Sequence, residues 1–219
     1  MKTLKILISM LILINPIITV SQESDLALNQ LQENSSSSEF TFNKISSKYE
    51  LPLDTINSTF IIKGTSSLHD WEMISKNFDG IIIINKANDE SLIIEDININ
   101  VGVKTLTSGT KLMDKKCYKA LLYKEHPNIN YHFKSIKEIK LKTDNTYTAT
   151  LSGVLTIAGK TKLAEILVEI ILKDGNINIK GEKALKMSDF DVKPPTALLG
   201  TIKTGNDITI EFNLNYIKS

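Results

Sequence analysis

Ser66, Ser67, His69 and Asp70 crowd into one short run, Gly64-Thr-Ser-Ser-Leu-His-Asp-Trp-Glu72. Hydroxyl, imidazole and carboxylate are the parts of a nucleophilic triad, so hydrolysis is the first chemistry to weigh. The spacing argues against it. A triad is recognised by geometry, and adjacent His and Asp in one turn point in different directions. The Gly-x-Ser-x-Gly elbow that lifts a serine nucleophile out of a strand–helix turn occurs nowhere in the chain. The plainer reading is turn chemistry, with side chains bonding to nearby backbone. A contact with a polar headgroup at the mouth of a pocket is the other.

The remaining reactive groups are sparse. His69, His126 and His132 lie at neither His-x-His nor His-x₃-His spacing, and there is no cysteine pair, so no metal set is assigned. The single cysteine, Cys117, has no internal disulfide partner and is read as a buried helix residue. Trp71, the only tryptophan, brings a large apolar area and one donor. That suits a plug or rim at the end of a barrel.

A chain of 219 residues supports one sizeable core and hardly two. All 26 basic residues are lysine, which argues against functions that need the planar guanidinium fork. Residues 1–21 read as a secretory signal peptide: Lys2 and Lys5, an apolar run from Leu7 to Val20, and small residues at Thr19-Val20-Ser21. No cysteine follows for a lipid anchor. After cleavage no membrane span is expected, and the destination is the periplasm or the medium. Cleavage would remove two of the 26 lysines and no acid, leaving 24 lysines against 25 acids. A near-neutral product gives no electrostatic case for nucleic acid. Residues 22–47, with Asn34-Ser-Ser-Ser-Ser38, read as a flexible Ser-rich linker, and residues 48–219 as one domain.

The elements that must position these residues are strands. Apolar residues or glycine occupy every second position through Tyr49–Leu53, Thr59–Lys63 and Phe78–Asn85, then through Ile97–Val103 and Ile129–Phe133. They do so again through Tyr147–Ile157, Ala164–Leu172, Ile177–Gly181 and Ile208–Tyr216. Period two with one apolar face marks a half-buried strand. Asp144-Asn145, Ala158-Gly159 and Asp174-Gly175 supply turns, and Gly153 a bend. One helix is expected over about 110–123, with Thr110 as its cap. Met113, Cys117, Ala120 and Leu121 share a face, Lys115, Lys116 and Lys119 are turned to water, and Pro127 ends it. About eight long antiparallel strands and one helix predict an all-β fold. An up-and-down barrel is favoured over a sandwich, because a strand of ~10 residues spans ~33 Å.

Four motifs in order then carry a resemblance. They are Phe60-x-Ile62-x-Gly64-Thr-Ser-Ser-Leu-His-x-Trp71 with Phe78-x-Gly80-x-Ile82, and Lys111-Leu-Met-Asp-Lys-x-x-Tyr-Lys-Ala-Leu121 with His126-Pro127-x-Ile129. Leu151-x-Gly153-x-Leu155-Thr-Ile-x-Gly159-x-Thr161-Lys162 and Lys193-Pro-Pro-Thr-Ala-x-x-Gly200-Thr-Ile follow. Over residues 48–217 the chain resembles the YceI-like family, in a form typical of Bacteroidetes-type bacteria. The resemblance implies an extended, lipocalin-like antiparallel barrel with a long apolar tunnel, exported to the periplasm. It implies non-enzymatic binding of a polyisoprenoid, an isoprenoid-quinone tail or another long lipid, for transport or storage. No catalytic residue and no cofactor come with it, and a homodimer is one assembly it allows. The tunnel positions it implies are Phe60, Ile62, Phe78, Ile82, Ile84, Tyr131, Phe133 and Leu155, with His69 and Trp71 as rim candidates. A fully packed barrel serving as a structural or interaction module is the rival reading, and a Ser/His hydrolase the more distant one.

Overall fold

The computed structural model describes residues 47–75, 77–86 and 92–218. The expected leader, and all of the expected linker except Ser47, lie outside them. Twelve strands run through the described residues. They are β1 (Ser47–Pro52), β2 (Thr59–Ser66), β3 (Trp71–Ser75), β4 (Phe78–Lys86), β5 (Leu92–Gly102) and β6 (Leu106–Thr107). After the helix α1 (Lys111–Ala120) come β7 (Asn128–Thr143), β8 (Thr146–Ile157), β9 (Lys160–Lys173), β10 (Asn176–Lys186), β11 (Thr196–Ala197) and β12 (Ile202–Tyr216).

The pairing is antiparallel throughout, in the order β1-β4-β5-β7-β8-β9-β10-β12-β2-β3-β6. Three pairs of sequence neighbours, β1–β2, β3–β4 and β5–β6, are each the two halves of one bent strand. As the chain moves from Pro52 to Phe60, its partner moves from Ile81 to Ser75, so β1–β2 lies along β3–β4. Likewise β3–β4 lies along β5–β6, with Phe78 opposite Val101 and Ser75 opposite Leu106. Merged in this way, eight long runs each pair with the next. The last, β12, returns to β2 through Phe212 opposite Phe60, and Leu53 bridges Tyr216. The eight-stranded barrel expected from the alternation is this closed path, and the higher strand count comes from breaks within its runs.

Two ladders stop short. β5 and β7 pair only from Asn98–Gly102 to Asn128–His132, and β9 and β10 only from Asn176↔Lys173 to Gly181↔Val168. Beyond Gly181, Lys183 crosses the second seam and its Nζ donates to the Glu165 carbonyl at 2.7 Å. The hairpins at Ala158-Gly159 and Asp174-Gly175 place both central residues at positive φ, the geometry that matches strand twist.

Several local expectations need correction. The stretch Gly64–Glu72 is not all turn: β2 runs on to Ser66 and β3 starts at Trp71, leaving only residues 67–70 between them. The helix ends at Ala120, well before Pro127, because Leu122 takes a left-handed conformation at φ 53°. The Thr110 side chain does not cap it. Asp114 instead turns back to accept from the Ser108 N–H (2.7 Å), the Ser108 hydroxyl (2.8 Å) and the Thr107 hydroxyl (3.2 Å). Lys116 is half-buried, not turned to water, and donates to the Thr196 carbonyl. Gly153 serves a neighbour: a Cβ there would sit 2.3 Å from the Tyr131 ring. The bend falls on the partner strand, where the register slips between Phe133 and Ser135.

Candidate ligand-binding site

The barrel has two ends. Around the far end the inward rows meet: Ile82 and Tyr216 are 0% exposed, and Ile84, Ile94, Ile170 and Ile177 are buried around them. Toward the other end the rows part. There α1 and the segment 187–197 span the opening and enclose a cavity of about 320 Å³. Its floor is apolar, built from Ile62, Met73, Ile157 and Ile208 on the strands. Its roof is the helix face Met113, Cys117, Ala120 and Leu121, and Met187, Phe190 and Val192 form a side wall. The helix face read from the sequence is the one turned to the cavity.

The roof is tied down on both sides. The Tyr118 hydroxyl donates to the Leu106 carbonyl on β6 at 2.8 Å, and Lys116 reaches β11. Burial works against the Asp114 charge, but its hydrogen bonds from Ser108 and Thr107 outweigh that and hold its carboxyl below the ordinary value. Cys117 is half-buried in the roof. Burial, and then the Asp114 charge, push its thiol up to about 12, so it is no thiolate at neutral pH.

One layer deeper lies a second, smaller cavity of about 60 Å³, bordered by Phe60, Leu155, Ile210 and Tyr131 among others. Successive inward residues pass from one space to the other: Ile62 then Phe60, Ile157 then Leu155, Ile208 then Ile210. The long tunnel expected from the family resemblance is therefore a chamber under the helix with a small void beneath it. Of the eight tunnel positions named from the sequence, Ile62 borders the chamber, and Phe60, Tyr131 and Leu155 border the void. Phe78, Ile82, Ile84 and Phe133 are buried inside the barrel but border neither. Phe78 packs against Phe60, ring centres 6.1 Å apart and planes tilted by 49°.

Both rim candidates border the chamber. The Trp71 ring lies across Gly64, where a Cβ would come within 2.3 Å of it, and its Nε1 donates to the Thr65 carbonyl at 2.9 Å. Ser66 Oγ donates to the His69 carbonyl at 2.7 Å and accepts from the Leu68 and His69 N–H groups. Ser67 Oγ accepts from the Lys203 N–H, and His69 Nδ1 faces the Asp70 backbone carbonyl at 2.5 Å. Each hydroxyl is thus engaged with backbone and none with the imidazole. The cluster closes a turn and pins it to β12.

The interior also holds two phenols with no protein partner among the described residues, Tyr131 Oη and Tyr216 Oη. Burial pushes the Tyr131 phenol up to about 12. It raises Tyr216 as well, with the nearby Tyr131 adding to the effect. Sequence reasoning found the apolar helix face but did not place it among the ligand positions, and it missed Met187, Phe190, Val192 and Pro195 outside the sheet. The signal for the roof was the helix face itself. For the side wall it was the run Val192-Lys-Pro-Pro, an apolar residue followed by two prolines that keep the chain extended.

No curated protein matches this sequence. Among solved structures, the chain is similar to BcnA of Burkholderia cenocepacia, with 18% identity, a TM-score of 0.58, and cover of 74% of this chain and 98% of that one. It is similar too to a polyisoprenoid binding domain from Saccharophagus degradans implicated in plant cell wall breakdown, with 10% identity, a TM-score of 0.60, and 77% and 98% cover. A Campylobacter jejuni YceI protein gives 19%, 0.52, and 66% and 84% cover. At such identities the likeness speaks for the fold. A family model for the YceI-like domain matches residues 30–216, starting inside the segment read as linker. The match takes in the barrel, the helix roof and the side wall of the chamber, and the chain belongs to the YceI-like family.

Proposed function

We propose that this protein binds a long apolar lipid, of the isoprenoid class, in the chamber beneath α1, and carries or stores it without chemical change. The observation that carries the reading is the chamber itself: about 320 Å³, apolar in floor, roof and wall, within the range of small-molecule sites. Taking an isoprenoid tail out of water stabilises the complex by ~25 cal/mol per Å² of apolar area covered. The polar groups His69 and Lys116 border the same chamber and suit the headgroup. The chamber holds only part of a long chain. The rest of the tail either lies across the mouth or displaces the layer between chamber and void. A polyisoprenoid binding domain with the same fold supports the ligand class. The apolar leader supports export to the periplasm, where such a carrier would work. A binding role rather than a hydrolytic one is supported by the engagement of both serine hydroxyls with backbone.

Organic extraction of the purified protein, followed by mass spectrometry, tests this. A stoichiometric isoprenoid or other long-chain lipid is the expected result. A protein that extracts clean, and shows no saturable uptake of a fluorescent isoprenoid, would leave the packed-barrel reading standing instead.

A further inference from the structure

Four leucines stand in water around the mouth of the chamber. Leu68 sits in the β2–β3 turn and Leu112 on the first turn of α1, 67% and 64% exposed. Leu198 and Leu199, between β11 and β12, are 72% and 110% exposed. The last two also take left-handed backbone, at φ 46° and 55°, a conformation that disfavours a leucine. All four belong to one face. Leu68 and Leu112 border the chamber. Ala197 does too, immediately before Leu198. Ser67 and Lys203 are joined by reciprocal hydrogen bonds of 2.9 and 3.1 Å, which fasten the β2–β3 turn to the start of β12.

The charge on this face leans positive. The segments 66–70, 110–116 and 187–203 contain Lys111, Lys115, Lys116, Lys193 and Lys203, against Asp70, Asp114, Asp189 and Asp191. Asp191 is paired with Lys160 at 2.6 Å, and Asp114, though charged, is turned back onto Ser108 and Thr107. The chain as a whole is close to neutral, at +1. The other exposed leucine pair, Leu163 and Leu167 on β9, alternates with Glu165 and Glu169 and shows no such bias.

From this we infer that the helix-end face is a docking surface for an anionic lipid membrane. The leucines enter the headgroup layer, the lysines lie against lipid phosphates, and the chamber mouth faces the bilayer. Exposed apolar side chains ringed by lysines bind such surfaces by area burial and electrostatic attraction together. A carrier that loads from a bilayer needs its mouth at the lipid and not at bulk water. In its purpose the inference rests on the lipid reading above; its geometry does not.

Co-sedimentation of the full chain with phosphatidylglycerol vesicles, and with phosphatidylcholine vesicles, tests it. The wild type is expected to sediment with the anionic vesicles at least ten-fold better than with the neutral ones. Leu198→Ser with Leu199→Ser should weaken that binding ten-fold or more. Lys111→Glu with Lys115→Glu should weaken it at low salt, with the difference shrinking at high salt. Any pull from the apolar leader is common to wild type and variants, so their ratio isolates the rim. Uptake of a fluorescent isoprenoid from vesicle-free solution, measured alongside, should be unchanged in the leucine variant. Equal sedimentation of wild type and leucine variant would overturn the proposal, as would equal binding to both lipids. A rim that instead holds two copies of the chain together, with a dimer lost in the leucine variant and vesicle binding kept, would also overturn it. If vesicle binding follows the leucines while the wild type takes up no isoprenoid, the docking surface stands and the ligand reading falls.

Discussion

On β12, Tyr216 is fully buried at the far end of the barrel, while Ile208, on the same inward row, faces a chamber of about 320 Å³ at the other end. Both halves come from strands of one kind, apolar and polar by turns. They end differently because of what joins the strands. The far-end turns at Asp144-Asn145 and Asp174-Gly175 are tight and insert nothing between the strands, as only the Ala158-Gly159 hairpin does at the helix end. At the helix end the β9–β10 ladder stops at Gly181↔Val168, and two long insertions, residues 103–127 and 187–201, span the gap without filling it. Alternation decides which face a side chain takes. Whether opposite faces touch is decided by register and by the length of the connections.

The contrast can be broken first at the packed end. Ile82→Ala removes a side chain that is 0% exposed and borders neither cavity. It should cost about 2–5 kcal/mol in a denaturant titration, with isoprenoid uptake by the folded fraction unchanged. Gly153→Val drives a Cβ into the Tyr131 ring and should cost about 1–3 kcal/mol by overpacking, read from the same titration. Tyr216→Phe works in the opposite direction. Its hydroxyl is buried without a protein partner among the described residues, so removing it should raise stability by about 1 kcal/mol.

The smallest effect sits on the outer wall and leaves both halves alone. Glu169 lies between Lys142 (2.5 Å) and Lys180 (2.7 Å), and their hydrogen bonds hold its carboxyl down to about 2. A carboxylate lowered by folding adds stability above its ordinary value of 4.5. That stability is lost as pH falls from there toward about 2. Glu169→Gln should flatten the pH dependence of the unfolding midpoint across that window, by lowering the midpoint slightly at neutral pH and leaving it unchanged near pH 2.

Much of the barrel was legible because its strands repeat one physical rule. Ile208, Ile210, Phe212, Leu214 and Tyr216 could be placed on one inward row from alternation alone. β3 was hidden because Trp71-Glu-Met-Ile-Ser75 is short and follows turn residues without a gap. The site was legible in part. Phe60, Ile62, Tyr131 and Leu155 border its cavities, whereas Phe78, Ile82, Ile84 and Phe133 share their pattern but lie where the walls meet. Nothing in a period of two separates those groups. Met187, Phe190 and Val192 stayed out of reach for another reason: they sit in a connection with no period at all, and only the fold brings them over the chamber.

The account stands or falls on the chamber under α1, and Ala120→Trp tests it most directly. Ala120 is in the roof, and an indole there would take up much of the space beneath the helix. Titrating wild type and variant with a fluorescent isoprenoid, and checking both for equal thermal stability, gives the comparison. The account predicts saturable uptake by the wild type and at least ten-fold weaker uptake by the variant. Equal uptake by the two, at equal stability, would contradict it.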